Sequence, residues 1–318
     1  MAQAAGSNAQ IIFDVETVFG TTPTPDAKLF YFLSDSFGEK RALHRSDIIR
    51  GNRNLTKPVR GNKDVSGNIK TELSPYMATF LKHLLGTNTT TGANPYTHTM
   101  KAGALPVSLC LEKGFTDLAQ YFLYNGCRIN RGTFEFASDG IIPASFDFMG
   151  QKRTISGTSF DATPVNLGHL PFDGFEATIE EGGSSIAYVS KCTVDIFNDL
   201  DGGNYVIAGA GQRRAIPEGK TAVTGTLTAL FESITLFNKA VNFTESSIKI
   251  TMTRGDGLGS AGNESLVIFI PEVVYEVSDP LVSGPKGIVV EMPYSAFYDN
   301  AAEATSIQIV LKNTQSAI

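Results

Sequence analysis

At 318 residues the chain has the length of one very large domain or, more naturally, of two domains of common size, so internal duplication is the first thing to test. An apolar fraction of 42% fills a core, while only 18% charged residues beside 31 Gly and 21 Phe describe a chain poor in helix formers and rich in strand and turn formers. The net charge of −6 excludes an overall basic protein, no apolar run approaches the roughly 18 to 20 residues of a membrane span, and the opening MAQAAGSNAQ lacks the pattern of a secretory leader.

In chain order, KLFYFLSD from Lys28 predicts an early strand. A long hairpin punctuated by glycines follows, and Arg41 to Lys63 carries seven basic residues (Arg41, Arg45, Arg50, Arg53, Lys57, Arg60, Lys63) against one acid, Asp47. The alternation in VSGNIKTEL predicts the returning strand. SPYMATFLKHLLG then places Met77, Phe80, Leu81, Leu84 and Leu85 at helical spacing, with Ser74 as the cap, Pro75 in the first turn and Gly86 as the stop. GTFEFASDGIIPASFDFMG reads as two strands around a Gly/Pro turn, with apolar residues alternating with acids, so that one face packs and the other meets solvent. Residues 155–180, with Pro164, Gly168, Pro171 and Gly174, have the composition of a connector.

Beyond it the same order returns. KCTVDIFND is the early strand, VTGTLTALF the returning strand, and ESITLFNKAVNF a helix with Ile234, Phe237, Ala240 and Val241 on one face. VVYEVSD and VVEMPY close the unit. The segment Ile48–Lys70 aligns without a gap to Val206–Thr228 at a constant offset of 158, matching Gly51 with Gly209, Gly61 with Gly219, Val65 with Val223 and Gly67 with Gly225. Phe134-Glu135-Phe136 pairs with Tyr275-Glu276-Val277 in the same comparison. The expected organisation is a first β-unit with an N-terminal arm over residues 1–158 and a second over 159–318. Each is an antiparallel barrel or sandwich with one helix laid against it. The two differ in charge: residues 1–160 hold 17 basic and 13 acidic side chains, residues 161–318 hold 9 and 19. A basic hairpin in an otherwise acidic chain meets nucleic acid, an acidic surface of another copy, or solvent alone.

Catalytic and metal-binding patterns are weak throughout. Asp14 and Glu16 in IIFDVET match the Asp-x-Glu of two-metal 3′–5′ exonucleases, yet the two further carboxylates that chemistry requires have no counterpart. His44, His83, His98 and His169 lie apart from one another and from the cysteines, so no metal site is expected. The stretch GAGQRR from Gly209 lacks the Lys-Ser/Thr of a phosphate loop, and DLDGGN from Asp199 lacks the ligand order of a calcium loop. Cys110, Cys127 and Cys192 form neither a disulfide framework nor a close metal pair, which fits a reducing site of folding, with Cys110 and Cys127 as core thiols. No catalytic residue, cofactor or metal is expected.

The run ETVFGTTPTPD, Glu16 to Asp26, together with Gly61, Val65, Ser66, Gly67 and Glu72-Leu73, resembles the tail tube proteins of long-tailed bacteriophages, in the branch with a duplicated tube domain. Glu16-Thr17 belongs to that signature, which offers a second reading of the exonuclease-like pair. The resemblance implies a structural virion protein assembled in the host cytoplasm. It implies homotrimeric rings of pseudo-sixfold symmetry, stacked into a tube that carries double-stranded DNA without holding it. Tape-measure, tail-terminator and baseplate proteins would be the other partners, with no membrane involved. It assigns inter-ring contacts to the hairpins, at Arg50, Gly51, Arg53, Lys57, Arg60 and Gly61 in the first unit and Gly209, Arg213, Arg214 and Gly219 in the second. It assigns the lumen to Glu135, Asp147, Glu276 and Glu291. The alternatives are a baseplate ring or decoration protein, or an exonuclease using Asp14 and Glu16.

Overall fold

The computed structural model describes residues 3–318 except 187, 283 and 317. The strands of the first half are β1 (Ala9–Glu16), β2 (Lys28–Phe30), β3 (Ser34–Asp35), β4 (Gly38–His44), β5 (Val59–Glu72), β6 (Gly86–Gly92), β7 (Tyr96–Ala102), β8 (Ser108–Phe115), β9 (Gln120–Ala137), β10 (Pro143–Gly150) and β11 (Lys152–Ser156). Those of the second half are β12 (Ala177–Glu181), β13 (Ser184–Ser185), β14 (Val189–Phe197), β15 (Ala222–Leu230), β16 (Ser246–Thr253), β17 (Ser265–Tyr275), β18 (Val289–Ala296) and β19 (Gln308–Asn313). The α-helices among the described residues are α1 (Ala78–Leu85) and α2 (Thr235–Val241).

The molecule is a mainly β sandwich of antiparallel strands. One layer is a wall in the order β3/β4, β5, β10, β9, β14, β15, β18 and the end of β17. Opposite it lie two smaller sheets. The first runs β2, β1, β8, β9, β11 and the second β13, β12, β16, β17, β19, β7, β6. The long strands β9 and β17 turn from one layer into the other, as strands do at the corners of a sandwich. In β9 the corner falls at Gly126, whose φ of 67° favours glycine. The wall stays open at both ends, so of the two architectures expected from sequence the sandwich is the one found.

The core follows from alternation. Phe134, Phe136, Phe146 and Phe148 point inward from β9 and β10, and Val194, Ile196, Leu227 and Met292 do so from the second half. Helix α1 lies between the layers with Phe80, Leu81, Leu84 and Leu85 fully enclosed, and Phe80 stacks on Phe30 at 4.2 Å between ring centroids. It starts later than the sequence suggests. Ser74 and Pro75 form a separate turn, Met77 precedes the helix without a side-chain cap, and Gly86 ends it at φ 111° as expected. Of the face expected for helix α2, Ala240 is buried and Phe237 half-buried, while Ile234 and Val241 are exposed and Leu236 is enclosed instead. Residues 157–176 are packed along the first half, with Phe172 fully buried and hydrogen-bonded through its backbone to Leu73 and Ile142.

The two halves share registers in the wall. Glu72 faces Pro143 and Gly67 faces Phe148, while Leu230 faces Val289 and Gly225 faces Tyr294. A shift of 158 carries β5 onto β15, and a shift of 146 carries β10 onto β18. The loose sequence pairing of Phe134 with Tyr275 is displaced, because Tyr275 faces Tyr294 as Ile129 faces Phe148. Gly67 and Gly225 recur because the neighbouring strand crosses closely at both places. A side chain would overlap Ser36 and Phe37 in the first case and the Thr193 carbonyl in the second.

Candidate assembly surfaces

The wall has one buried face and one polar face, and strand parity decides what each presents. Glu135 lies opposite Thr193 and in line with Thr226, Asp147 opposite Arg131 and Asn68, and Glu291 opposite Thr228. Glu276, just past β17, donates its N–H to the Pro293 carbonyl at 2.8 Å. All four acids picked out from sequence therefore occupy the same polar face. Two ion pairs, Arg131 with Asp195 and Lys191 with Glu135, cross the β9·β14 joint and neutralise their own charges. Asp147 accepts a hydrogen bond from the Asn68 amide at 2.7 Å. Asp147, Glu276 and Glu291 have no ion-pair partner among the described residues, and neither do the exposed Lys40 and Lys70 on the same face, so the acidic excess there is small.

The two hairpins expected to match differ sharply. The first, β4–β5, extends into a tip at residues 45–58 that exposes Arg45, Arg53 and Lys57 beside Ile48, Ile49 and Leu55, Ile49 being 96% exposed. Arg50 closes the tip by donating to the carbonyls of Asn54 and Leu55 at 3.0 and 2.8 Å, and Gly51 sits at φ 72°. Arg60 and Gly61 lie in the ladder below it, where Arg41 donates to the Gly61 carbonyl at 2.8 Å.

Where the sequence predicts the second hairpin, over residues 206–225, the segment 198–221 contains no strand and folds back against the base of the first, and only Ala222 onward is strand, in β15. Lys63 N–H donates to the Gly211 carbonyl and the Tyr205 hydroxyl to the Lys63 carbonyl, each at 2.8 Å. Arg213 is buried. Its guanidinium donates to the carbonyls of Gly202, Val65 and Gly150 at 2.7, 2.8 and 2.9 Å and pairs with Asp64. Expected from sequence as a contact to another ring, Arg213 instead straps the second half to the first. Arg214 is exposed beside it, Gly209 N–H closes a tight turn on the Val206 carbonyl, and Gly219 N–H donates to the Asn198 carbonyl at the base of the segment. The only sequence signal for this fold-back is the loss of β-branched residues in AGAGQ, Ala208 to Gln212.

The exonuclease-like pair has a structural account. Glu16 is 1% exposed. Its carboxylate accepts from Ser108 Oγ at 2.6 Å, Gly20 N–H at 2.8 Å, Asn125 Nδ2 at 3.0 Å and Gly126 N–H at 3.0 Å. The donor of Gly126 is freed from the ladder because β9 turns its corner there, and Glu16 satisfies it. Asp14 accepts from the N–H of Asp26 at 3.0 Å. The two acids thus fasten the ETVFGTTP loop to the sandwich. Among the described residues no group of three or more His, Cys, Asp or Glu is placed to hold a metal ion. The cysteines are buried and free; burial pushes the Cys192 thiol up to about 12 and raises those of Cys110 and Cys127 as well. No helix is long and apolar enough to cross a membrane among the described residues.

An open polar-faced wall, an edge at each end of it that is unpaired among the described residues, and a projecting hairpin define a β protein of the kind that meets other protein surfaces. The family model described as phage tail tube protein matches residues 6–296, and the chain belongs to that family. It is a structural component of the virion tail. A search of curated proteins finds no match. Among solved structures, it is similar to a chain of the cryo-EM structure of the anti-feeding prophage baseplate, 6-fold symmetrised, at 15% identity and a TM-score of 0.29, covering 50% of this chain and 99% of that one.

Proposed function

We propose that the chain is two tube units, residues 1–158 and 159–318 joined by a connector at about 155–180, and that three chains close into a ring of six similar units. Such rings stack into the tail tube, and the genome passes through the lumen. The observation that carries this reading is the β9·β14 joint. Strand pairing there already fuses the walls of two units that share their registers, and leaves β3/β4 at one end and the end of β17 at the other. Open edges are templates for pairing with another chain, and a head-to-tail repeat of one joint generates a ring when the rotation closes.

The polar face that carries Glu135, Asp147, Glu276 and Glu291 lines the lumen in this arrangement. An acidic lining repels a polyanion and keeps DNA mobile. The β4–β5 hairpin, with Arg50, Arg53 and Lys57 in its tip and Arg60 in the ladder below, reaches the acidic second unit of a stacked ring, and Arg214 and Gly209 mark the surface beside it. Tape-measure, terminator and baseplate proteins meet the ends of the tube. Assembly takes place in the host cytoplasm with no membrane partner and no cofactor, and no step requires catalysis by the chain.

Electron microscopy of the concentrated protein, with copy number measured in the virion, tests this reading. Rings or tubes and a high copy number are expected. Compact monomers under all conditions and no such tube in virions would overturn it, and a low copy number would make the protein a baseplate or decoration component instead.

A further inference from the structure

The internal joint specifies which surfaces meet between chains, and in what register. Asp195 faces Thr224 as Gly38 faces Ser66, and Phe197 faces Ala222 as Lys40 faces Asp64, so β4 is the first-half counterpart of β14. Strand β14 is covered on both sides, by β15 and by β9, whereas β4 pairs with β5 alone among the described residues. At the other end, Arg131 of β9 faces Asp147 of β10, and Glu276 bonds Pro293, the β18 counterpart of Asp147. The residues after Tyr275 are therefore the second-half counterpart of the part of β9 that covers β14. Residues 276–282 form no strand, and Val277, Leu281 and Val282 are exposed there at 58%, 79% and 74%. The chain thus carries one satisfied copy of the joint and both halves of a second, unsatisfied one.

We infer that the segment following β17 of one copy pairs antiparallel with β4 of the next, in the register of the β9·β14 joint. This rests on the ring reading above and deepens it. In the internal joint Arg131 faces Phe197, so between copies Glu276 faces Lys40, with Val277 and Ser278 extending the ladder until Pro280, which has no N–H to donate, ends it. The charges agree. Lys40 and Glu276 are both exposed and both lie on the polar face, where they form a pair equivalent to those that cross the internal joint. The partner is a second copy of this chain, because only the chain's own β4 carries the edge for which the internal joint is the template. The interface is heterologous, with different surfaces meeting, and so propagates until it closes.

The experiment is disulfide trapping in the full chain carrying Lys40→Cys and Glu276→Cys, the native cysteines being buried. Residues directly opposite in antiparallel strands lie within about 5.5 Å, inside the roughly 7 Å a disulfide tolerates. Oxidation of assembled rings is expected to give linked chains up to three and no further, while either single variant stays unlinked. A control pair, Ser34→Cys with Glu276→Cys, is displaced along the edge by about 20 Å and stays unlinked. Charge exchange gives an independent readout. Lys40→Glu slows assembly and the double variant Lys40→Glu with Glu276→Lys restores it. Normal rings without the trapped link, or equal linking by the control pair, would overturn this joint while leaving the ring reading intact. Absence of rings in the unmodified protein would overturn the ring reading itself.

Discussion

Replacing Glu16 with alanine separates a structural role for the Asp14/Glu16 pair from a catalytic one. The carboxylate is enclosed and receives four donors, two of them backbone N–H groups of Gly20 and Gly126. Hydrogen bonds to a charged group contribute about 1.5–3 kcal/mol each, and donors that share one acceptor do not add. Truncation also strands the Gly126 N–H at the corner of β9, where no strand partner replaces it. The expected loss is about 4 kcal/mol, comparable to breaking a buried charged network. Glu16→Gln keeps one acceptor oxygen but turns an amide donor toward existing donors, and is expected to lose about 2 kcal/mol. Urea unfolding followed by fluorescence and circular dichroism measures both. A loss below about 1 kcal/mol for the alanine variant would refute the reasoning. Manganese-dependent degradation of single-stranded DNA, abolished by Asp14→Ala, would establish the catalytic alternative instead.

Gly225→Ala is expected to lose about 3 kcal/mol through overpacking, since the added methyl overlaps the Thr193 carbonyl and the Tyr294 hydroxyl, whereas Gly6→Ala, in open space, changes stability by less than about 0.5 kcal/mol. His83 is buried on α1, and desolvation lowers its pKa from 6.5 to about 4, with Lys82 and Arg128 adding to the shift and the Thr79 carbonyl opposing it. The unfolded chain binds the proton first, so stability holds above about pH 6.5 and falls toward pH 4, by up to about 1.4 kcal/mol per pH unit; His83→Gln flattens that stretch of the curve of urea midpoint against pH. If the β4–β5 tip meets an acidic neighbour, removing Arg50, Arg53 and Arg60 together weakens polymerisation more at low ionic strength than at high, as light scattering would show, and equal effects at both would point to backbone or apolar contact.

Much of the wall was legible because a period of two is unambiguous where Phe and Asp alternate, as in Phe146-Asp147-Phe148. The glycine repeat was legible for a geometric reason: Gly67 and Gly225 occupy the same close crossing. Elsewhere tertiary context decided. Ser74 has the chemistry of a helix cap, yet its segment is needed as a turn before α1 can enter the sandwich. Periodicity in α2 identified a helix and, in Ala240, part of its buried face, but the sheet that α2 meets leaves Ile234 and Val241 outside and encloses Leu236. The fold-back of residues 198–221 depends on carbonyls of Val65 and Gly150, far away in sequence, so nothing near Arg213 announces it. Glu16 was singled out for its spacing to Asp14, while its role depends on Gly126 turning a corner in another strand.

The most direct test of the account is a cryo-EM reconstruction of the assembled tube in cross-section. Three chains per ring are expected, with six similar lobes that alternate between first and second units and an unbroken wall in which β4 of each chain adjoins the segment after β17 of the next. A ring of six whole chains, or walls broken between chains with only the hairpin tips in contact, would contradict it.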